Sequence, residues 1–504
     1  MRGMRGAVLL LLASAAAAAA AAAGLVNTNM IRSVDLRALP AVKEQVGVVV
    51  QNEHSSKAQR SYTVVVPAAK HDSLARISVR ERKSGAELDV ARVEGGADAG
   101  QVLYQATLRQ ALQPGDKISL NVDYVLLNTV APRPAAVGQV DDQGWVWADD
   151  VLVPSAYPTR KQKTVVRTRG DIRGFEPAAA ATKSGRTVTF GPFEADGGGL
   201  GAARAEVRFW DNAEQVEALT HRREYFVSHW ANDLNVLEHY AVRNRGPEID
   251  GGFDKVRQAV GRFMKMRDNF VKTLLLKVPA TARGMYFVDE IGNVSTSAVT
   301  GRQRSSSGGA PFRVMQLKPR YPLAGGWNYT WWHGYSVPLD AYLRVGPARG
   351  GRHLLRVPFI GSLVASASQE EVLALTALDT PNVAVSEYEL RITLPEGAAD
   401  IAVHTPFAVD SVAMQPLSYY FDSTGRTTVV IRQRRVAPDA SSAHVLVEYS
   451  YSARALWQKP LVIALVLFGL FAAASALSRM RLGLAGPARG GKGGRATKPA
   501  AKDD

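Results

Sequence analysis

The sequence predicts a mainly β protein: two tandem, similar antiparallel β-rich domains of sandwich type, one C-terminal transmembrane helix and a short, disordered basic tail. Three features of the 504 residues indicate this architecture. Segments such as 117–125 alternate apolar and polar residues, as half-buried strands do. Residues 461–477 form an uncharged apolar run. Cysteine is absent, so large hydrophobic cores rather than disulfides must hold the fold together.

The N-terminus has the three parts of an export signal. Arg2 and Arg5 precede the apolar residues 8–12, and an alanine run continues to Ala23. A charged start, an apolar stretch and small residues before a cleavage point are typical of a secretory signal peptide. We therefore assign residues 1–23 to a signal peptide and expect the mature chain to enter the secretory pathway.

Residues 24–220 are predicted to form the first β-rich domain. Pro114 and Gly115 mark a turn, and residues 117–125 then alternate strictly. The other segments with strand character are 46–52, 61–66, 77–82, 102–108, 164–169, 187–190 and 205–210. This density of short strands and turns favours antiparallel sandwich packing.

Residues 221–455 are predicted to form a second domain of the same kind. Residues 212–219 are compatible with a short helix or a turn, and a second cycle of strands begins at Tyr225. Segment 235–246 resembles segment 46–55, because each is a strand that reaches an Asn and then a polar turn. Segment 443–451 is similar to segment 117–125, so we interpret the two halves as a weak internal repeat.

The apolar run near the C-terminus predicts one membrane crossing over residues 456–478. A crossing needs about 20 residues at about 1.5 Å rise each, and this stretch is long enough. Residues 479–504 form a basic tail with a net charge of +5, which stays on the cytosolic side of a membrane. The predicted topology is single-pass type I, with the β-rich domains in the lumen and the C-terminus in the cytosol.

Charge does not indicate a nucleic-acid partner. The formal net charge is +15, but the signal peptide and the tail supply +7 of it. The remaining +8 is spread over residues 24–478, where Lys and Arg are interleaved with Asp and Glu. A nucleic-acid-binding surface requires clustered basic residues, so we expect none.

No motif predicts a catalytic, cofactor or metal site. Asp289 and Glu290 are adjacent, so on a strand they would point to opposite faces, and a turn fits Asp-Glu-Ile-Gly better than a carboxylate dyad. Residues 197–202 match G-x-G-x-x-A but precede a strand-like segment rather than a helix. His229 and His333 lie in aromatic surroundings that favour packing, and neither H-E-x-x-H nor G-x-S-x-G occurs.

Two sequons and an aromatic cluster are the remaining candidates. Asn293-Val-Ser295 follows a Gly turn, and we favour Asn293 over Asn328 of Asn328-Tyr-Thr330 as a glycosylation site. Residues 321–335 are rich in Tyr and Trp. They could bind a sugar or a peptide by stacking, but packing into the domain core is the interpretation we favour.

Several of these segments together resemble one family. Tyr286-Phe-Val-Asp-Glu-Ile-Gly-Asn-Val-Ser-Thr-Ser297, Pro319-Arg-Tyr-Pro-Leu-Ala-Gly-Gly-Trp327 and Gly334-Tyr-Ser-Val-Pro338 are similar to ribophorin I, a subunit of the oligosaccharyltransferase complex. Supporting segments are 157–162, 227–230, 394–398 and 421–426. The resemblance covers the predicted ectodomain and the span in the same order, and the Asp-Glu-Ile-Gly-Asn-Val-Ser block makes it specific.

The resemblance implies a non-catalytic subunit of the endoplasmic reticulum membrane. Its partners would be the other oligosaccharyltransferase subunits, including the catalytic one that transfers a glycan from dolichyl diphosphate to Asn in N-x-S/T, and nascent polypeptides. It implies no cofactor and no catalytic residue, and the family's glycosylated Asn matches Asn293. The alternatives are a single-pass receptor or adhesion ectodomain, and a luminal hydrolase.

The predicted span carries a set of small residues that would suit a partner helix. These residues are Gly469, Ala472, Ala473 and Ala476. Small side chains let helix backbones approach closely inside a membrane. We therefore expect this part of the span to pack against helices of other subunits.

Overall fold

The structure, a computed structural model, describes residues 24–480 except 94–99, 195–203, 265–267, 304–309, 347–351, 367–380, 420, 421 and 423. The predicted signal peptide at 1–23 and the tail beyond residue 480 lie outside the described residues. The described part is mainly β, as predicted. We call residues 24–215 the N-terminal half and residues 216–452 the C-terminal half. The domain division at residue 220 stays a prediction.

The N-terminal half is built from sixteen strands, most of which alternate buried and exposed side chains. They are β1 Leu25–Leu36, β2 Ala41–Asn52, β3 Gln59–Pro67, β4 Leu74–Glu81, β5 Glu87–Leu88, β6 Val90–Arg92, β7 Gln101–Leu112, β8 Lys117–Leu127, β9 Val130–Pro132, β10 Ala136–Val137, β11 Gly144–Asp150, β12 Lys161–Thr168, β13 Ile172–Glu176, β14 Ala181–Ser184, β15 Thr187–Glu194 and β16 Arg204–Trp210.

The C-terminal half adds seventeen strands to the described structure. They are β17 Val216–Ser228, β18 Asp233–Asn244, β19 Glu248–Ile249, β20 Thr273–Pro279, β21 Arg283–Asp289, β22 Gly292–Asn293, β23 Ala298–Val299, β24 Phe312–Leu317, β25 Asn328–Pro338, β26 Leu343–Val345, β27 Arg352–Pro358, β28 Ser362–Ser366, β29 Val383–Thr393, β30 Ala399–His404, β31 Ser411–Leu417, β32 Arg426–Val436 and β33 His444–Ser450.

Each half contains one eight-stranded sheet, and the two sheets have the same order. The N-terminal sheet runs β14-β15-β12-β1-β2-β8-β4-β5, and the C-terminal sheet runs β31-β32-β29-β17-β18-β25-β21-β22. In each, an opening antiparallel hairpin (β1–β2 or β17–β18) pairs in parallel with a later strand (β12 or β29). The sheets are therefore mostly antiparallel with one parallel pair each, a feature that the alternation did not predict.

Smaller sheets cover one face of each large sheet. They are β3-β7-β6 and β13-β16-β11-β9 in the N-terminal half, and β23-β24-β20-β28 and β26-β27-β33-β30 in the C-terminal half. The layers of each half enclose one large hydrophobic core, and the C-terminal half has a smaller second cluster around Phe312. The described helices are α1 Ala68–His71, α2 Lys255–Phe263 and α3 Ala453–Arg479. Only α3 among them is long and apolar enough to cross a membrane.

One segment differs from the sequence-based interpretation. Residues 216–219 belong to strand β17, where we expected a short helix or a turn. The strand continues to Ser228 with buried polar side chains, including Glu217, His221 and Arg223. A register shift between Ala218 and Thr220 breaks the alternation at the start of the strand, and beyond it His221 and Arg223 occupy inward positions where the pattern requires apolar residues.

The two halves meet at the end of the C-terminal sheet where β17 begins and β18 ends. The parallel pair β10–β19 joins them, and Asn128 donates a hydrogen bond to Glu217 over 2.7 Å. Arg76 and Asp439 form an ion pair at 2.8 Å. An apolar cluster closes the contact, and its members are Ala41, Val125, Leu127, Ala384 and Ala437.

A buried ion cluster lies inside the N-terminal half. Arg32 on β1 contacts Glu44 on β2 at 3.0 Å, and both side chains are 1% exposed. Asp149 on β11 also accepts a hydrogen bond from Arg32. Lys70 of α1 contacts Glu44 at 2.7 Å and Asp149 at 3.2 Å. Burial opposes ionisation of Glu44, but Arg32 and Lys70 outweigh it and hold its pKa below the usual value.

We predict that Arg32→Met destabilises the protein by about 3–5 kcal/mol, because it leaves buried carboxylates short of a cation. The matched control is Arg160→Met, which removes an exposed pair with Glu53 and should cost less than about 1 kcal/mol. Chemical denaturation followed by circular dichroism measures both values. Equal effects of the two substitutions would contradict a stabilising role of the buried cluster.

Candidate functional site

The favoured sequon lies in a tight turn between β21 and β22. The Asp289 carboxylate accepts hydrogen bonds from the backbone N–H groups of Ile291 (3.0 Å) and Gly292 (3.1 Å). Gly292 has a φ of 137°, a conformation that a residue with a Cβ rarely adopts. This turn presents the Asn293 side chain to solvent. Asn293 is therefore accessible, although whether it is glycosylated stays a prediction.

Arg320 connects the two longest motifs that we identified in the sequence. Its Nε lies 2.5 Å from the Asp289 carboxylate, and its Nη2 donates to the backbone oxygens of Gly292 (3.1 Å) and Asn293 (3.2 Å). The Tyr329 hydroxyl donates to the same Asp289 oxygen at 3.2 Å. The motifs therefore form one rigid structural unit around the sequon.

These contacts define the role of Asp289. Burial opposes its ionisation, but Arg320 and the turn amides outweigh burial and lower the pKa of Asp289. Glu290, the next residue, is exposed and takes no part in this network. Asp289 is thus an ionised structural anchor of the turn, in agreement with the turn that Asp-Glu-Ile-Gly predicts.

The aromatic cluster 321–335 divides between core and surface. Tyr329, Trp331 and Tyr335 are buried, and Trp331 stacks on Tyr240 with ring centres 4.8 Å apart. Tyr321 and Trp327 are about two-fifths exposed and meet edge-on at 5.9 Å. Most of the cluster therefore builds the core, and two rings remain on the surface.

The second sequon lies beside those two surface rings. Asn328 is the exposed first residue of β25, and its carbonyl accepts a hydrogen bond from the Tyr321 hydroxyl at 2.9 Å. Asn328 is accessible like Asn293, but it belongs to a paired strand rather than a turn.

A second buried ion cluster crosses the centre of the C-terminal sheet. Arg223 on β17 stands directly opposite Glu238 on β18, with 3.5 Å between charged atoms. His221 Nε2 lies 2.9 Å from the other Glu238 oxygen, which also accepts from the Tyr240 hydroxyl at 3.0 Å. His333 Nε2 approaches Glu238 at 3.6 Å. The sequence offered one signal of this cluster: polar residues at inward positions of an alternating strand.

The enclosure of this cluster determines its protonation state. Burial lowers the pKa of His221 to about 4, against the opposing effect of Glu238. The pKa of Glu238 is well below its usual value, because Arg223 and His221 outweigh its burial. The cluster thus holds a carboxylate paired with a guanidinium beside a neutral His221. All four charged or imidazole side chains are at most 4% exposed, and of the four only His221 borders the cleft between the halves.

His229 lies outside this cluster and is held by aromatic rings. It stacks on Tyr451 at 4.5 Å, contacts His353 edge-on and lies 2.9 Å from the Tyr449 hydroxyl. Burial and the neighbouring His353 lower the pKa of His229 to about 4. Both histidines that we singled out in the sequence are therefore packed, as their aromatic surroundings predicted.

The luminal-hydrolase alternative would be favoured by a metal centre. The described ranges contain no group of three or more His, Asp or Glu side chains able to hold an ion. The G-x-G-x-x-A match at 197–202 lies outside the described residues. The strand β16 that follows it supports our reason for discounting a dinucleotide site.

The surface of the described structure includes a large and a smaller groove. A wide cleft of about 1360 Å³ lies between the halves and is lined by charges of both signs, including Arg76, Arg435 and Asp439. A smaller groove of about 360 Å³ crosses the C-terminal sheet and is lined by aromatic side chains, including Tyr286 and Tyr419. Neither groove contains His229, His333, Asp289 or Glu290 among its lining residues.

The small residues of the span lie along one side of helix α3. Gly469, Ala472, Ala473 and Ala476 follow a spacing of three, one and three residues, which places them on one helix face. All four are exposed, and a Cβ built on Gly469 meets nothing within 4 Å. The face is thus open to another helix, and its packing against a partner stays a prediction.

We predict that stability falls as the pH drops from 6.5 towards 4. The unfolded chain protonates His221 near pH 6.5 and the folded chain only near pH 4, so protons favour unfolding in this window. His221 alone should contribute about 2 kcal/mol between pH 6.5 and 5. His221→Gln should reduce the dependence by about this amount, measured by denaturation at each pH, while His229 with its similarly lowered pKa still contributes. The exposed His404→Gln is the control, and an equal slope in both variants would contradict this assignment.

Comparison with known proteins places these features in a family. The family model described as Ribophorin I matches residues 25–478. Subunit 1B of the dolichyl-diphosphooligosaccharide–protein glycosyltransferase of Arabidopsis thaliana is 28% identical over 419 residues, 82% of each chain. Subunit 1 of the same transferase from Caenorhabditis elegans is 26% identical over 410 residues, 81% of this chain and 65% of that one.

Solved structures add no functional information. An M1 zinc metallopeptidase from Deinococcus radiodurans is 13% identical to this chain with a TM-score of 0.24, covering 41% of this chain and 48% of that one. Such a score is too low to indicate a shared overall fold or activity. The family match, in contrast, runs from the first strand of the N-terminal half to the last turn of helix α3, and the chain belongs to the ribophorin I family.

Proposed function

We propose that this chain is a non-catalytic, structural subunit of the oligosaccharyltransferase complex in the endoplasmic reticulum membrane. That complex transfers a preassembled glycan from dolichyl diphosphate to Asn in N-x-S/T of nascent proteins. The observation that carries the proposal is the family match over 25–478, together with relatives that are named as subunit 1 of this transferase.

The contacts of the candidate catalytic residues support the non-catalytic part of the proposal. A general acid or base must reach the substrate, and its pKa must lie near the working pH. Asp289 is held in a structural turn by Arg320, and His333 is fully buried beside Glu238. His229 is packed among aromatic rings with a pKa of about 4. Catalysis is then the task of a partner subunit.

The proposed topology is type I, with the β-rich halves in the lumen and α3 as the single span. Luminal placement exposes both sequons to the glycosylation machinery. The partners in this arrangement are the other transferase subunits, nascent polypeptides and the membrane itself. The small-residue face of α3 is the proposed contact for partner helices.

We predict that Gly469→Leu combined with Ala473→Leu weakens assembly without preventing membrane insertion. Leucine side chains on this face would hold a partner helix at a distance. We expect the recovery of the other transferase subunits with the tagged chain from detergent-solubilised membranes to fall about tenfold, equal to about 1.4 kcal/mol.

The control for this experiment is Phe471→Leu, on the opposite side of the helix, which should assemble normally. Resistance to carbonate extraction reports insertion. If the wild-type chain recovers no other transferase subunit, the proposed function is wrong. If the wild-type chain recovers the other subunits and the double substitution does not reduce that recovery, the proposed function stands and α3 is only a membrane anchor.

We predict that Asn293 carries a glycan. Asn293→Gln should remove one glycosidase-sensitive mobility shift, because this sequon lies in an exposed turn in a luminal half. Gel mobility with and without glycosidase measures this, and peptide mass spectrometry locates the glycan. Asn328→Gln is the matched comparison, and a shift lost only with that variant would contradict the assignment to Asn293.

A further inference from the structure

The tip of the β17–β18 hairpin carries an exposed tryptophan. Trp230 is 60% exposed, although it has the largest apolar side chain of the chain's residue types. The turn is held by the Ser228 hydroxyl, which accepts a hydrogen bond from the Ala231 N–H at 3.2 Å. A large apolar ring at an exposed hairpin tip does not contribute to the core. The reason for a tryptophan at this position must therefore lie in the groups around it.

Trp230 contacts the start of helix α3 through one specific hydrogen bond. Its indole Nε1–H donates to the Leu456 carbonyl at 2.8 Å. In a regular helix this carbonyl would accept from the N–H of residue 460. Residue 460 is proline, which has no N–H, so it leaves the Leu456 carbonyl free. The hairpin therefore supplies the donor that the helix lacks.

Two further contacts fix the same joint. Lys459, one position before Pro460, contacts the buried Asp422 carboxylate at 2.9 Å, and Asp422 also accepts from Arg426 at 3.2 Å. Gly397, with a φ of 83°, lies so close to helix α3 that a Cβ on it would stand 2.7 Å from the Ala455 Cβ. The helix and the C-terminal half thus meet at three places within two helical turns.

The position of this joint along the helix gives its depth in a membrane. The uncharged apolar run begins at Leu461, five residues after Leu456, which is about 7.5 Å along a helix. The headgroup layer on each side of the hydrocarbon core is about 5–8 Å thick. If the hydrocarbon core begins at Leu461, Trp230 would lie at the level of the headgroups. Trp457 and Tyr419 are exposed beside the same joint.

We propose that Trp230 is a membrane-contacting lock: its exposed ring lies in the phospholipid headgroup layer of the luminal leaflet, and its N–H satisfies the carbonyl that Pro460 frees. Tryptophan favours this layer because its ring is apolar and its N–H needs a partner. An unpaired carbonyl is costly close to the hydrocarbon core, so the bond is stronger there than in water. This contact fixes the C-terminal half against the bilayer. The inference rests on the membrane topology of the proposed function.

The absence of cysteine makes the lock directly testable. Single cysteines at Ala231, Trp457, Phe468 and Val260 in the full chain can each carry an NBD fluorophore after reconstitution into phosphatidylcholine nanodiscs. Nitroxides on the lipid headgroup or in mid-chain then quench the label according to its depth. Ala231→Cys keeps Trp230 in place, and Val260 on α2 is an exposed control at the other end of the sheet.

We expect headgroup nitroxide to quench the label at Ala231 as strongly as the label at Trp457. The label at Val260 should show no lipid quenching, because a strand of 12 residues, about 40 Å, separates it from the joint. If Ala231 behaves like Val260 while Phe468 is quenched by mid-chain nitroxide, the lock is wrong. If Phe468 also escapes lipid quenching, the proposed topology fails instead.

A second set of variants tests the hydrogen bond itself. Trp230→Phe keeps an apolar ring but loses the N–H, and we expect about a fivefold drop in the docked-to-undocked ratio at the Ala231 label. Pro460→Ala restores an N–H for the Leu456 carbonyl, so Trp230→Phe should have little further effect in that background. Trp327→Phe, in a surface tryptophan at the distal end, is the matched control. If Trp230→Phe lowers the docked-to-undocked ratio equally in the wild-type and Pro460→Ala chains, the freed Leu456 carbonyl has no role in the contact.

Discussion

A buried arginine paired with a carboxylate on the neighbouring strand lies inside the opening hairpin of each large sheet. Arg32 and Glu44 occupy β1 and β2, and Arg223 and Glu238 occupy β17 and β18. A shift of one residue in either hairpin would turn one charge to the outer face and leave its partner buried alone, at a cost of several kcal/mol. The ion pairs therefore fix the register of the hairpins to which the remaining strands are added.

Alternation revealed the strands whose inward residues are apolar. Strand β8 buries Leu120, Val122 and Tyr124, as the alternation predicted. The start of β17 was not recognised, because a register shift between Ala218 and Thr220 interrupts its alternation and the inward positions beyond the shift hold His221 and Arg223. A pattern based on hydrophobicity cannot identify a strand whose interior is an ion-pair network. The alternation pattern also could not predict the parallel pairs β1–β12 and β17–β29, because local alternation does not report which distant strand becomes a neighbour.

The same distinction applies to the candidate sites. The Asp-Glu-Ile-Gly turn was predictable, because Asp and Gly have strong local preferences in turns. Its link to Arg320 was not, since the two residues are 31 positions apart and the sequence between them gives no local sign of their contact. The partnership of Trp230 with Pro460 was hidden for the same reason. Neither residue is unusual in its own segment of the sequence. Only the structure shows that the Trp230 indole bonds to the carbonyl that Pro460, which has no N–H, leaves free.

The joint at α3 determines what the rest of the molecule can do. Strand β18 starts beside this joint and ends at the contact with the N-terminal half, so one sheet spans the distance from helix α3 to that contact. A sheet of this length is stiff, and a helix held at three places cannot swivel freely beneath it. The sequon turn and the surface rings Tyr321 and Trp327 lie at the distal end, and in the proposed topology they are kept at a set height above the bilayer. A flexible linker would leave that height undefined. Under the proposed function, this arrangement supplies control of position rather than chemistry, which is the property that a structural subunit requires.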